Sequence, residues 1–163
     1  MIREVSGDIL LTKADAIAHG VAPNDAFATG LAHSLREQWP GMYKDFRHYC
    51  QTQHPKSGGA WIWSGPGKRI INLLTQEGAY DHGAKAGRAT LENVNHVLRE
   101  LKKLIEEEKL TSVALPRLAT GVGGLKWEDV KPLIQKHLGD AGISVFVYST
   151  FHPGVAAEGG LTA

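Results

Sequence analysis

The sequence predicts an α/β domain in three layers, a central and largely parallel sheet with helices on both faces. Two patterns predict it. Short β-branched and apolar runs alternate along the chain with stretches whose apolar residues recur at helical spacing. The run Arg69 to Thr75 reads as apolar on both faces, as a central strand should. Length agrees: 163 residues are enough for one domain with a substantial core.

In chain order, Ile2 to Ser6 reads as a first strand, and Gly7-Asp8-Ile9 turns away from it. On sequence alone Asp8 is either a cap for that turn or a hydrogen-bond acceptor for a ligand, and the cap is the simpler reading. Ala16 to Val21 is a second, buried strand that carries His19 near its end. A histidine there is either a satisfied core residue or a group that does chemistry. A loop with turn chemistry, Ala22 to Gly30, leads to a helix from about Leu31 to Trp39, ended by Pro40. Met42-Tyr43, Phe46 and Tyr49-Cys50 suggest a second short helix after Pro40-Gly41. Ala60 to Ser64 and Arg69 to Thr75 form a hairpin around Gly65-Pro66-Gly67-Lys68. A long Gly-spaced polar loop, Thr75 to Gly87, follows; loops of that length in compact domains are usually functional or mobile.

The clearest helix spans Ala89 to Lys109, with Leu91, Val94, Val97, Leu98, Leu101, Leu104 and Ile105 on one stripe. After the strand Ser112 to Leu115 comes a Gly-rich turn, Ala119 to Gly124, and a helix start at Trp127. Backbone N–H groups in such a turn can face one concavity, and phosphate or diphosphate is their natural ligand. Pro132 predicts that Trp127 to Val130 is a separate turn, with the main helix beginning near Lys131 and ending at Gly139 and Gly142. Ile143 to Tyr148 is the last buried strand.

Charge and cysteine content narrow the function. A net charge of +1 excludes wholesale attraction to nucleic acid or to an acidic membrane, so any anion must be held by local geometry. The chain has one cysteine, Cys50, which reads as a packed thiol and points to a cytoplasmic setting. No apolar run approaches the roughly 20 residues of a membrane span. The end of the chain is rich in small residues and is expected to fray.

Gly7-Asp8-Ile9, the stretch Asp25 to Gly30, the segment from Leu115-Pro116-Arg117 through Leu125-Lys126-Trp127 and the strand Val145 to Tyr148 together resemble the macrodomain family, which binds ADP-ribose. The likeness covers residues 1–152 and leaves 153–163 as a flexible tail. It is nearest the branch of the terminal ADP-ribose protein glycohydrolase and the antitoxin that removes ADP-ribose from DNA. The resemblance implies an α/β/α macrodomain with a mixed, largely parallel sheet. It implies that Asp8 and the Ile9 amide hold the adenine amino group, with Phe151 beside the ring and Thr150 next to it. Thr29, Gly30 and Leu31 would flank the diphosphate and distal ribose. Ala119, Thr120, Gly121, Val122, Gly123 and Gly124 would wrap the diphosphate, with Arg117 alongside and Thr75 and Gln76 completing the site.

That branch uses a lysine after the threonine of the fourth strand, and an aspartate in the Gly loop. Gln76 and Gly123 stand there, so a Lys-based covalent mechanism is disfavoured. His19, Asp25, Glu77 and His82 are the candidate catalytic residues, acting on water or on the distal ribose. The expected activity is hydrolysis of an ADP-ribose conjugate: modified protein or nucleic acid, or a small ester or phosphate. The alternatives are a non-catalytic ADP-ribose reader and an adenine-rich RNA or nucleotide binder, the last lacking its basic aromatic groove. No cofactor and no metal are expected, and the chain is expected to act as a monomer.

Overall fold

A computed structural model describes residues 1–78, 87–121 and 123–157. The strands are β1 (Ile2–Gly7), β2 (Ala16–Val21), β3 (Ala60–Gly65), β4 (Lys68–Leu74), β5 (Ser112–Pro116) and β6 (Ser144–Phe151). The helices are α1 (Gly30–Gln38), α2 (Pro40–Gln53), α3 (Leu91–Glu107) and α4 (Trp127–Leu138), with a 3-10 turn at Ile9–Leu11. The sheet order is β1-β6-β5-β2-β4-β3. Every neighbouring pair is parallel except the hairpin of β3 with β4. The sheet is therefore mixed and largely parallel, as expected.

Alternation along the strands divides the core in two. Ala16, Ala18, Ile71 and Leu73 pack with Val94, Leu98, Leu101, Ile134 and Leu138 on the α3/α4 side. Ile17, Val21, Ile70 and Leu74 pack with Leu35, Met42, Phe46 and Cys50 on the α1/α2 side. This gives helix, sheet and helix layers. Among the described residues no helix is long and apolar enough to cross a membrane.

Helix α4 corrects one expectation. It runs unbroken from Trp127 through Pro132 to Leu138. Pro132 removes only one hydrogen bond, to the Glu128 carbonyl in the first turn. Val130, Ile134 and Leu138 bury one continuous stripe across it. Gly139 is still helical at φ −58°, whereas Gly142 takes the left-handed conformation at φ 72°.

The end of the chain is tied down as far as Ala157. His152 N–H donates to the Gly7 carbonyl, the Asp8 N–H to the Val155 carbonyl, and the Gly154 N–H to Asp8 Oδ2. Gly7 is necessary to this docking: a Cβ there would sit 2.9 Å from Ala157 backbone atoms. Residues 158–163 of the expected tail lie outside the described residues.

Candidate functional site at the carboxyl ends of β2, β4 and β5

In an open α/β sheet, ligands collect beyond the carboxyl ends of the parallel strands. A cavity of about 790 Å³ lies there. Its walls come from the end of β2 (His19, Gly20, Val21), the loop into α1 (Asn24 to Ala32, without Phe27), Gln76 after β4, and Pro116, Arg117, Ala119, Gly121 and Gly123 at and after the end of β5.

The loop into α1 is shaped by Asp25. Its Oδ2 accepts the Ala22 N–H at 3.1 Å and its Oδ1 the Phe27 N–H at 2.8 Å. These bonds hold a loop in which Asn24 and Phe27 both take positive φ, 61° and 52°. The Phe27 ring is buried between Phe46, with centroids 5.0 Å apart, and His19, in a T-shaped pair at 5.6 Å and 89°. Asp25 lines the cavity, and its carboxylate is engaged in holding the backbone.

Helix α1 begins at Gly30, φ 62°, without a side-chain cap from Thr29 and without an acidic residue in its first turn. Gly30, Leu31 and Ala32 line the cavity, and because the first N–H groups of a helix have no intrahelical partner and carry the positive end of its dipole, an anion is favoured there. Helix α4 is the opposite case. Glu128 and Asp129 occupy its first turn and offset its dipole. The anion-attracting helix start thus belongs to α1, and the turn after β5 contributes through its own backbone.

That turn is closed by the Leu125 N–H donating to the Ala119 carbonyl and the Gly124 N–H to the Gly121 carbonyl. Ala119 adopts φ 63°, an unfavourable conformation for a residue with a Cβ, and lines the cavity. Ala119, Gly121 and Gly123 form the wall. Thr120 turns its hydroxyl to the Arg117 carbonyl, Gly124 is exposed and outside the lining, and Val122 lies outside the described residues. The exposed Arg117 is at the rim and supplies the cation among the described lining residues.

His19 is only 2% exposed and lines the cavity. Its Nε2 lies 2.7 Å from Asn72 Oδ1. Burial pulls the imidazole down to about 4, against smaller upward pulls from the Asn72 hydrogen bond and the Asp25 charge. The ring is therefore neutral at pH 7: suited to accept a proton or a hydrogen bond, and poor as a general acid. Asn72 is the residue that sequence reasoning missed. The sequence offered part of the signal, an amide between the apolar pairs Ile70-Ile71 and Leu73-Leu74; that it stands in register with His19 follows from the sheet order.

The neutral buried imidazole makes stability depend on pH. Its native value lies below the ordinary 6.5, so the unfolded chain takes up a proton that the native chain refuses. The contribution is complete above pH 6.5 and is lost as pH falls toward 4, by roughly 3 kcal/mol in all. Wild type is expected to lose more melting temperature than His19→Gln between those limits, in thermal scans at matched ionic strength. Asp15 and Glu4, whose carboxyls are held low by hydrogen bonds, weaken both proteins alike over the acid range.

Other expected site residues fall elsewhere. Gln76 is buried at the cavity wall, with its Nε2 donating to the Gly87 carbonyl at 3.0 Å. Thr75 is fully buried behind it, its Oγ1 without a partner among the described residues. Glu77 does not reach the cavity; its carboxylate contacts Asn93 Nδ2 at 3.2 Å and the Ser57 hydroxyl at 3.5 Å. His82 lies outside the described residues. Asp8, Ile9, Thr150 and Phe151 lie beyond the cavity walls. The Asp8 carboxylate caps the 3-10 turn through the Leu10 N–H and holds Gly154. It is 8% exposed, whereas Phe151 is 60% exposed. Cys50 is a packed thiol that burial pushes up, and its Sγ accepts the Asn24 N–H.

Comparison with known proteins places this arrangement. The DNA ADP-ribosyl glycohydrolase of Thermus aquaticus is 29% identical over 153 residues, covering 91% of this chain and 41% of that protein. This chain therefore spans about two fifths of that relative. The human ADP-ribose glycohydrolase OARD1 is 25% identical over 149 residues, with 91% of each chain covered. The solved macrodomain of Thermus aquaticus DarG matches with a TM-score of 0.80 at 28% identity, over 91% of this chain and 98% of that one. The family model of the Macro domain matches residues 19–134, the span that runs from His19 through the cavity walls to α4. With most of its length inside that match, the chain belongs to the Macro domain family.

Proposed function

We propose that this chain binds ADP-ribose across the cavity and hydrolyses an ADP-ribose conjugate at the distal ribose, by attack of water and without a lysine nucleophile. One observation carries the reading: the uncapped start of α1 lines the same cavity as Ala119, Gly121 and Gly123 of the turn after β5. Two sets of backbone donors on one cavity suit a diphosphate in a chain of nearly neutral charge. The distal ribose then lies toward His19, Asp25 and Gln76. The adenine extends past the wall toward Asp8, Ile9, Thr150 and Phe151. Asp8 already accepts two N–H groups, and a carboxylate offers about four acceptor positions, so an amino proton still finds one. The glycohydrolase names of the relatives support the hydrolytic half of the reading.

Water is the nucleophile in this scheme because the described lining residues include no lysine. Neutral His19 accepts a proton or orients a ribose hydroxyl, and Arg117 draws the anion into the rim. The expected class of substrate is ADP-ribosylated protein or nucleic acid, or a small ester or phosphate of ADP-ribose. A cytoplasmic, monomeric protein that does not bind nucleic acid generally is part of the same reading.

The test is a panel of such conjugates incubated with wild type and His19→Ala, with released ADP-ribose measured by chromatography. Wild type is expected to release ADP-ribose from at least one member, and His19→Ala to do so about tenfold to a hundredfold more slowly. A second reading, the non-catalytic reader, is favoured by one feature: both Asp25 oxygens are engaged with backbone N–H groups. ADP-ribose binding with no release from any conjugate would select it.

A further inference from the structure

Asn72 is fully buried in β4, directly across the parallel register from His19 in β2. Its neighbours on the same face of the strand, Ile70 and Leu74, are apolar and also fully buried. The strand has no packing need for an amide there. Desolvating that amide is unfavourable, and only one of its two polar atoms has a partner among the described residues. Oδ1 meets His19 Nε2 at 2.7 Å, while Nδ2 has none. The amide's orientation is thus set by the imidazole alone.

An amide oxygen only accepts, so the shared proton resides on Nε2 and the lone pair on Nδ1. Among the described residues Nδ1 has no hydrogen-bond partner, and His19 lines the cavity. The Phe27 ring packs against the imidazole at 89°, with centroids 5.6 Å apart, and restrains its rotation. We propose that Asn72 is a positioning residue: by accepting the Nε2 proton it fixes the His19 tautomer, and the free Nδ1 then accepts a hydroxyl of the distal ribose. The hydroxyl contact rests on the ADP-ribose reading; the tautomer does not.

Burial keeps the ring neutral across the ordinary pH range, so this acceptor does not switch off near neutrality. Among the described groups, Asp25 from the loop into α1 is the charge that acts on the ring; Phe27 and Asn72, packed against it, are uncharged. Asn72→Asp keeps the acceptor and adds a second negative charge beside the imidazole. That charge raises the histidine back toward neutral pH, where protonation would cover Nδ1.

Nitrogen-15 NMR of His19 in the ligand-free chain reads the tautomer, and calorimetry with ADP-ribose reads the consequence. In wild type a single Nε2-protonated form is expected from about pH 5.5 to 8, with ADP-ribose affinity nearly constant over that range. Asn72→Leu is expected to lose the fixed tautomer and about fivefold to twentyfold in affinity, the size of one hydrogen bond. Asn72→Asp is expected to restore the tautomer and to bind more weakly as pH falls through the raised histidine value. A merely structural asparagine would give neither effect. A wild-type ring protonated at Nδ1 would overturn the proposal, as would Asn72→Leu with unchanged tautomer and affinity. If Asn72→Leu does not fold, the wild-type spectrum and the pH series of Asn72→Asp decide alone. If wild type does not bind ADP-ribose, the functional reading and the hydroxyl contact fall together, and the spectrum still decides what Asn72 does.

Discussion

Gly121→Glu is expected to weaken ADP-ribose binding by about a hundredfold while leaving thermal stability nearly unchanged. Gly121 is exposed and forms part of the cavity wall. A Cβ there would meet no other described atom within 4 Å, and its φ is outside the left-handed region. A side chain is therefore accommodated without strain and projects into open space. A carboxylate about 5 Å from a diphosphate charge, at an effective dielectric near 20, costs about 3 kcal/mol, which is about a hundredfold in affinity. Calorimetry and a thermal scan on the same preparation separate the two effects. Gly30 offers the same open space, but at φ 62° a side chain would add backbone strain to the charge effect. An affinity within threefold of wild type for Gly121→Glu would remove the diphosphate from this turn.

Gly123→Asp is expected to have the largest effect on the fold and to confer no activity. A Cβ at Gly123 would lie 2.6 Å from the Ala119 carbonyl oxygen and 3.0 Å from both the Ala119 carbonyl carbon and the Ala89 Cβ. Ala119 cannot move aside freely. Its carbonyl accepts the Leu125 N–H, and the Gly123 carbonyl accepts the Ala89 N–H. The overlap is with backbone, so the loop must distort, at about 2–3 kcal/mol. For a chain of this length that lowers the melting temperature by roughly 5–10 °C. Gly123→Ala should fall nearly as far, because the clash begins at Cβ. A stable Gly123→Asp would show that the turn can house an acid, and would return the catalytic aspartate of the resembled branch to consideration.

The fold was readable where one pattern dominated. The stripe of α3 and the apolar runs of β2, β4 and β6 each have one periodicity and one environment, so local sequence and tertiary packing agree. Pro132 misled because propensity penalises one hydrogen bond, while the stripe Val130, Ile134 and Leu138 is worth more. At the site, types of residue were legible and their engagements were not. Asp25 and Asp8 were visible as candidate site acids, yet their backbone partners come from Phe27 and, at long range, Gly154. The choice between the α1 and α4 starts depended on caps and first-turn acids. Glu128 and Asp129 were visible in the sequence, and the missing Thr29 cap was not. Asn72 was visible as a residue, but its pairing with His19 follows from sheet order, which no local pattern encodes.

The central claim is that this cavity binds ADP-ribose through backbone donors at the start of α1 and the turn after β5. Calorimetric titration of ADP-ribose into wild type and Gly121→Glu, at one pH and one ionic strength, tests it most directly. The account predicts saturable one-site binding to wild type in the micromolar range, about 1–100 μM, and a loss of about two orders of magnitude in the variant. Absence of saturable binding to the wild-type chain, or equal affinity in the two proteins, would contradict it.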